Sequence, residues 1–147
     1  MKYKLTRLCP NSNGWSGPSG GRLGEKGVGE YVKENGFGFE DWNFAFDHSV
    51  GGRLRGYTYA DPAKEDIEKK FGIIMAIYDS QGWQAVGYYH DAELVSADLD
   101  SRIVSSMATD LFRLAQLRQL NSAYKKKNFK QICKVISDCS HLLRWSV

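Results

Sequence analysis

The stretch GIIMAIYDSQGWQAVGYYH, residues 72–90, carries the clearest sheet signal in the chain. Residues 72–79 are apolar on both faces, as expected of a central strand. Residues 81–90 return from that strand after a short D-S-Q-G connection, and residues 91–96 are expected to continue the sheet. The stretch therefore predicts a β-hairpin at the middle of a sheet.

The segments before this hairpin predict further strands and two short helices. Residues 2–8 alternate polar and apolar, with Tyr3, Leu5 and Leu8 expected on one side of a first strand. Four more elements follow, and in chain order they are a short helix ended by Gly36, an extended aromatic segment at 37–46, a strand at 53–60 and a brief helix at 61–71.

After the hairpin the apolar period changes from that of strands to that of helices. Leu99, Ile103, Met107, Leu111 and Leu114 predict a long amphipathic helix that runs to about Leu120, with this stripe in the core. A second helix around 129–136 and a last strand at 141–147 complete the chain. We expect one α+β domain over residues 1–147, with a curled mixed sheet or small open barrel and flanking helices.

Composition is that of an ordinary globular domain. The chain has 147 residues, 42% of them hydrophobic, and no apolar run approaches the ~20 residues of a membrane span. An odd number of cysteines, without CxxC pairs, indicates reduced thiols and a cytoplasmic location, and no secretory signal is visible. The net charge of +3 permits a polyanionic partner without requiring one.

Sequence patterns of catalysis are missing. The three histidines have no metal-spaced partners, and His90 and Asp91 should point to opposite faces of a strand. Neither a phosphate-binding glycine loop nor a serine-hydrolase elbow is found. We therefore expect no cofactor, no metal and no enzymatic activity on this chain.

Aromatic residues in polar surroundings are more informative. Trp15 lies in the Gly/Ser-rich loop 11–20, where an exposed indole predicts a ligand-contacting ring. Trp42 lies among phenylalanines and fits a pocket or a core equally well, and one of Tyr57 and Tyr59 is expected to line a pocket while the other packs beneath it. Trp83 and Trp145 are expected to be structural. Short polar side chains beside these rings, suited to reading the edge of a planar ligand, are Ser16, Asp41 and Asn43.

The motifs NGWSGPSG, NGFGFEDWNF, FGIIMAIYD and WQAVGYYHDAELV resemble the EVE-like members of the PUA superfamily, which also includes YTH and ASCH domains. In particular, the chain is similar to the N-terminal reader domain that precedes an HNH nuclease in modification-dependent restriction endonucleases. The resemblance spans most of the chain, but the nuclease half has no counterpart here. The effector would then be another domain or another chain.

That resemblance implies a reader of double-stranded DNA that flips a modified base, 5-methylcytosine or 5-hydroxymethylcytosine above all, into an aromatic cage. Trp15, Trp42 and one of Tyr57 and Tyr59 would form the walls, and Asp41 or Asn43 would read the polar edge of the base. Residues expected to meet the phosphates are Arg22, Lys26, Arg53, Arg55, Lys125, Lys126 and Lys127.

Three other functions stay open at this point. The same fold could read modified RNA. A small ASCH-like enzyme acting on a nucleotide or RNA would need a titratable pair in the pocket, for which Glu40 and Lys26 are the candidates. A protein-binding regulator would need an exposed apolar stripe over residues 99–114.

Overall fold

The computed structural model describes residues 2–59 and 69–147, and within them five strands form one sheet in the order β1-β3-β4-β5-β2. β1 runs parallel to β3, whereas the other neighbours are antiparallel. The strands are β1 Lys2–Arg7, β2 Arg55–Gly56, β3 Lys70–Asp79, β4 Gly82–Leu94 and β5 Trp145–Ser146. The helices are α1 Glu30–Asn35, α2 Ser101–Gln116, α3 Ser122–Lys125 and α4 Phe129–Asp138. The predicted α+β class with a mixed sheet is confirmed, and these five strands do not close into a barrel.

The central hairpin is confirmed. β3 lies between β1 and β4, and Asp79 pairs with Gly82 across a two-residue connection. β4 continues through the expected residues to Leu94. This hairpin is the longest antiparallel pair among the described strands, and it forms the centre of the sheet.

The predicted helical stripe is also confirmed. Asp100 caps α2 by accepting a hydrogen bond from the Arg102 amide at 2.8 Å. All five stripe residues, from Leu99 to Leu114, are buried in a cluster that α2 shares with α4 and with the segment 37–45. Because this stripe is core, it offers no surface for the regulator hypothesis.

The extended segment predicted at 37–46 is wrong. Residues Phe39–Trp42 and Phe46–His48 form two 3-10 helices. The Asp41 carboxylate accepts a hydrogen bond from the Gly38 amide at 2.9 Å, and the Asp41 amide donates to the Gly38 carbonyl at 3.0 Å. These contacts within one turn hold residues Phe39–Trp42 in a 3-10 helix instead of an extended strand.

Three smaller predictions are changed, and a fourth is largely untested. The predicted strand at 53–60 is limited to β2, and the one at 141–147 to β5, which follows a 3-10 helix at Ser140–Leu142. Most of the helix predicted at 61–71 lies outside the described residues. On β1 the predicted inner face is wrong, because Thr6 and Leu8 are buried whereas Tyr3 and Leu5 are exposed.

Gly36 ends α1 as predicted, in the left-handed conformation with φ +90°. A Cβ atom at this position would lie 2.3 Å from the carbonyl oxygen of Gln119. The glycine therefore lets the end of α1 pack directly against the chain that leaves α2, and this contact fixes α1 beside the helical cluster.

Candidate functional site: an aromatic cleft

Two adjoining cavities of about 300 and 440 Å³ open near β1, whose residues Leu5, Thr6 and Arg7 line the second. We call them together the cleft, since they share the lining residues Cys9, Gly29, Glu30, Glu40 and Tyr59. Their volumes fall at the lower end of the range of small-molecule sites, which is about 300–1,000 Å³. The cleft is therefore large enough for one planar ring system with a substituent.

Four aromatic side chains line the first cavity: Tyr31, Phe39, Tyr57 and Tyr59. Tyr31 and Phe39 lie 6.2 Å apart between ring centroids. Burial and the neighbouring Tyr124 raise the pKa of Tyr31, so this phenol stays neutral. Tyr59 is 84% exposed and stands at the mouth. The cleft thus presents aromatic rings both at its base and at its entrance.

Asn43 holds Tyr57 in this wall. Its side-chain amide donates to the Tyr57 carbonyl at 3.0 Å, and its side-chain oxygen accepts from the Tyr57 amide at 2.8 Å. The side chain is fully buried, with both its amide nitrogen and its oxygen used by the protein. The predicted role of Asn43 as a reader of a base edge is therefore replaced by a positioning role.

Glu40 is the buried acid of the cleft. It is 6% exposed, and its Oε1 accepts a hydrogen bond of 2.6 Å from the Cys9 amide. The Cys9 thiol makes a further hydrogen bond with this carboxyl. Burial raises the pKa of this carboxyl above its ordinary value. Glu40 therefore offers a desolvated oxygen to whatever enters the cleft.

Cys9 lies beside this acid and is not a thiolate. Burial, and then the charge of Glu40, raise the pKa of the Cys9 thiol to about 11. Its sulfur accepts a hydrogen bond from the Gly29 amide at 3.2 Å. A neutral thiol is a small apolar contact here rather than a nucleophile.

Arg22 and Asp41 form a buried ion pair behind the cleft, with 2.6 Å between Arg22 Nη1 and Asp41 Oδ1. Asn11 donates to the same carboxylate oxygen at 2.8 Å. Both charged side chains are inaccessible, so two predictions are corrected: Asp41 does not face a ligand, and Arg22 does not face the phosphates. The pair instead fixes the loop 11–22 against the turn that presents Glu40.

The loop 11–20 is ordered rather than open. Trp15 is only 7% exposed; it packs in the cluster beneath the sheet, and its indole nitrogen donates to the Cys9 carbonyl at 3.1 Å. Ser16 is exposed and donates to the Asn13 carbonyl within a local turn. The prediction of Trp15 as an exposed wall is wrong for this conformation, because the loop folds its indole into the core.

Trp42 belongs to the core as well. It is 2% exposed, packs against Phe37 and donates from its indole nitrogen to Asp110 at 2.9 Å. Of the two open interpretations, the core is therefore the one observed. Trp15 and Trp42 lie in different hydrophobic clusters, so they do not face each other across a shared pocket.

The predicted basic residues divide into two groups. Arg53 bonds to the side chain and carbonyl of Ser146, and Arg55 bonds to the carbonyls of Leu143 and Ala97. These contacts hold loops to the sheet. The Arg53 side chain is still 49% exposed, so a phosphate contact there stays a prediction, whereas Arg55 is taken up by its carbonyl partners. The side chains left for solvent are Lys26, which precedes the cleft residue Gly27, and the run Lys125, Lys126 and Lys127, which follows Tyr124.

Sequence reasoning missed Cys9, Tyr31 and Phe39 as cleft residues and considered Glu40 only as half of an enzyme pair. The charged side chains that act on Glu40 are Asp41 and Arg22, not Lys26. One signal was present: an acid flanked by aromatic residues, as in FGFEDWNF, rarely lies in a core without a partner.

Comparison with known proteins gives no matching family model, no matching curated protein and no matching solved structure. The resemblance to EVE-like domains therefore stays a prediction. None of the described helices has the length and apolar character of a membrane span. Across residues 2–59 and 69–147, no three His, Cys, Asp or Glu side chains are grouped to hold a metal ion.

Proposed function

We propose that this chain binds double-stranded DNA containing a modified cytosine, without cleaving it, by taking the extruded base into the cleft. The observation that carries the proposal is Glu40, a buried carboxyl that lines the same cavity as four aromatic rings. Stacking of a base on an aromatic ring contributes about 1–3 kcal/mol. A carboxylate oxygen is a suitable acceptor for the N4 amino group of cytosine.

The apolar lining suits a base that carries an added methyl or hydroxymethyl group. Val32 and Leu142 line the first cavity beside the neutral Cys9 thiol. A methyl group at such a site gains about 0.8 kcal/mol from burial. Selectivity for the modified base would come from this contact, whereas the choice of cytosine would come from Glu40.

The phosphates of the flanking strand would meet Lys26 and the run Lys125–Lys127. Lys26 is one residue before the second cavity, and the run follows Tyr124, the hydrogen-bond partner of the cleft residue Tyr31. Binding to such exposed cations weakens with salt. In this proposal, the nuclease that would act on the bound DNA belongs to another domain or another chain. The proposal also includes a PUA-like fold, an EVE-type reader role and a cytoplasmic location for this chain.

The test is a panel of otherwise identical duplexes that carry cytosine, 5-methylcytosine, 5-hydroxymethylcytosine or N6-methyladenine at one position. Fluorescence anisotropy should give tighter binding to one modified cytosine than to cytosine, and Glu40→Ala should weaken binding of that modified duplex. Equal affinity for all four duplexes would refute the proposal. Competition with a modified single-stranded RNA decides between DNA and the alternative RNA reader.

A second candidate function, a small enzyme acting on nucleotides, is favoured by the raised pKa of Glu40 inside a cleft. It would require Glu40 to move a proton to or from a bound nucleotide. Incubation of the protein with nucleotides and modified RNA, followed by mass spectrometry of the products, tests it. A product lost in Glu40→Gln would support the enzyme and contradict the non-enzymatic reader.

A further inference from the structure

Six apolar side chains cover the face of the sheet that points away from the core. We call them the outer face: Tyr3, Leu5, Ile74, Tyr78, Trp83 and Tyr88. Each is at least 38% exposed, and Tyr88 reaches 68%. Their strand neighbours Ile73, Met75 and Tyr89 are buried on the opposite face, so the exposed set is one side of a continuous sheet.

Strand pairing places these side chains in two rows, with the small residues Ala76 and Ala85 between them. Leu5 pairs with Ile74 and Ile74 with Tyr88, which makes one row across three strands. Tyr78 pairs with Trp83 in a second row, with 5.4 Å between their ring centroids. A sheet face in contact with water normally carries polar residues. Contiguous apolar rows of this kind mark an interaction surface.

The size and composition of the outer face match a protein–protein interface. Four aromatic side chains, each half exposed or more, offer roughly 500 Å² when a whole aromatic side chain buries about 200 Å². Leu5 and Ile74 add to this area, and a specific interface needs about 800 Å² from each partner. The centre of the face, at Leu5, Ile74 and Tyr88, carries no charge, and the cation Arg7 lies at the edge. An apolar aromatic centre with a charged rim is typical of such interfaces.

We propose that the outer face binds the same face of a second copy of this chain, with a twofold axis that runs along β3. Rotation about that axis places β1 of one copy over β4 of the other while the strands stay aligned. Ile74 then meets its own counterpart, and Leu5 meets Tyr88 in the middle row. Arg7 pairs with Ala76, and Ala76 pairs with Ala85 on β4. In the dimer, Arg7 of one copy therefore lies over the end of β4 that carries Trp83 in the other copy.

This arrangement suits the charges as well as the shapes. Arg7 already lies 5.9 Å from the centroid of the Tyr78 ring, and in the dimer it would add the indole of Trp83. The two copies of Arg7 stand at opposite sides of the axis, so they do not repel each other. The inference does not depend on the proposed function of the cleft. Leu5 of the outer face and Arg7 at its edge line the second cavity of the cleft, whereas the other residues of the outer face do not line the cleft.

Sedimentation velocity of the full chain over a range of concentrations tests the proposal. The parent should dimerise with a Kd of about 1–100 µM. Leu5→Lys and Tyr88→Glu should each raise that Kd by at least about tenfold. Their combination should restore dimerisation, because the new cation and anion meet across the axis. Circular dichroism checks that each variant is folded, and Phe46→Lys, at an equally exposed aromatic residue outside the outer face, is the matched control.

Three outcomes would overturn the proposal. The first is a parent that stays monomeric over the whole range. The second is single variants that dimerise like the parent, or a double variant that stays monomeric. The third is binding of a single-stranded oligonucleotide to the parent that Tyr88→Glu abolishes while no variant changes the molecular mass, which would assign the outer face to nucleic acid.

Discussion

Tyr59→Ala should weaken binding of a modified duplex while leaving the protein as stable as before. Tyr59 is 84% exposed and lines both cavities, so its ring is available to a base and adds little to the core. Loss of one base–aromatic stack costs about 1–3 kcal/mol. Since each 1.4 kcal/mol is about tenfold, the Kd should rise by roughly 5- to 150-fold.

Fluorescence anisotropy at fixed salt measures the Kd, and urea denaturation measures the free energy of unfolding. Phe46→Ala is the control, because Phe46 is also an exposed aromatic residue but does not line the cleft. It should leave both quantities unchanged. If Tyr59→Ala bound the modified duplex as tightly as the parent, the Tyr59 ring would not stack on the base, and the reasoning that the base enters the cleft past Tyr59 would be refuted.

Three further predictions concern the interior. Trp42→Ala should lower the free energy of unfolding by about 3–5 kcal/mol in urea denaturation, because it removes a core indole; an unchanged midpoint would contradict the core assignment. Because burial raises the pKa of Glu40 above 4.5, the folded state holds this proton more tightly than the unfolded chain. The free energy of unfolding of the parent, relative to that of Glu40→Gln, should therefore fall as the pH rises from about 4.5 through the raised pKa. If the free energies of unfolding of the two proteins changed in parallel with pH, this prediction would be wrong. Arg22→Met alone should cost about 3–5 kcal/mol by leaving a buried charge, and adding Asp41→Asn should recover much of that loss; additive losses would show that the two side chains act independently.

Regular patterns repeated over many residues were predictable from the sequence. The hairpin and α2 follow from apolar periods that each continue for a dozen residues or more. The segment 37–48 was not predictable, because its aromatic spacing fits several conformations and its contacts come from far away. Trp42 bonds to Asp110, 68 residues later, and Asn43 bonds to Tyr57, 14 residues later.

The candidate site shows the same limit. One of Tyr57 and Tyr59 was predicted to line the pocket, and both line the first cavity. Cys9, Tyr31 and Glu40 come from three other segments that only the fold brings together. A Gly/Ser-rich loop predicts exposure, yet Asn11 and Cys9 bind Trp15 and turn it inward. His90 and Asp91 were expected on opposite faces, but Asp91 has φ +55° and its carboxylate lies 3.3 Å from His90. A single irregular residue changed the strand geometry there.

The most direct measurement is NMR chemical-shift mapping with two duplexes that differ only by one 5-methylcytosine. If the modified base enters the cleft, the amides whose shifts differ between the two duplexes should be those of Cys9, Gly29, Glu40 and Tyr59. Differences confined to the loop 11–20, with these four amides unchanged, would contradict the account and return Trp15 to the binding site.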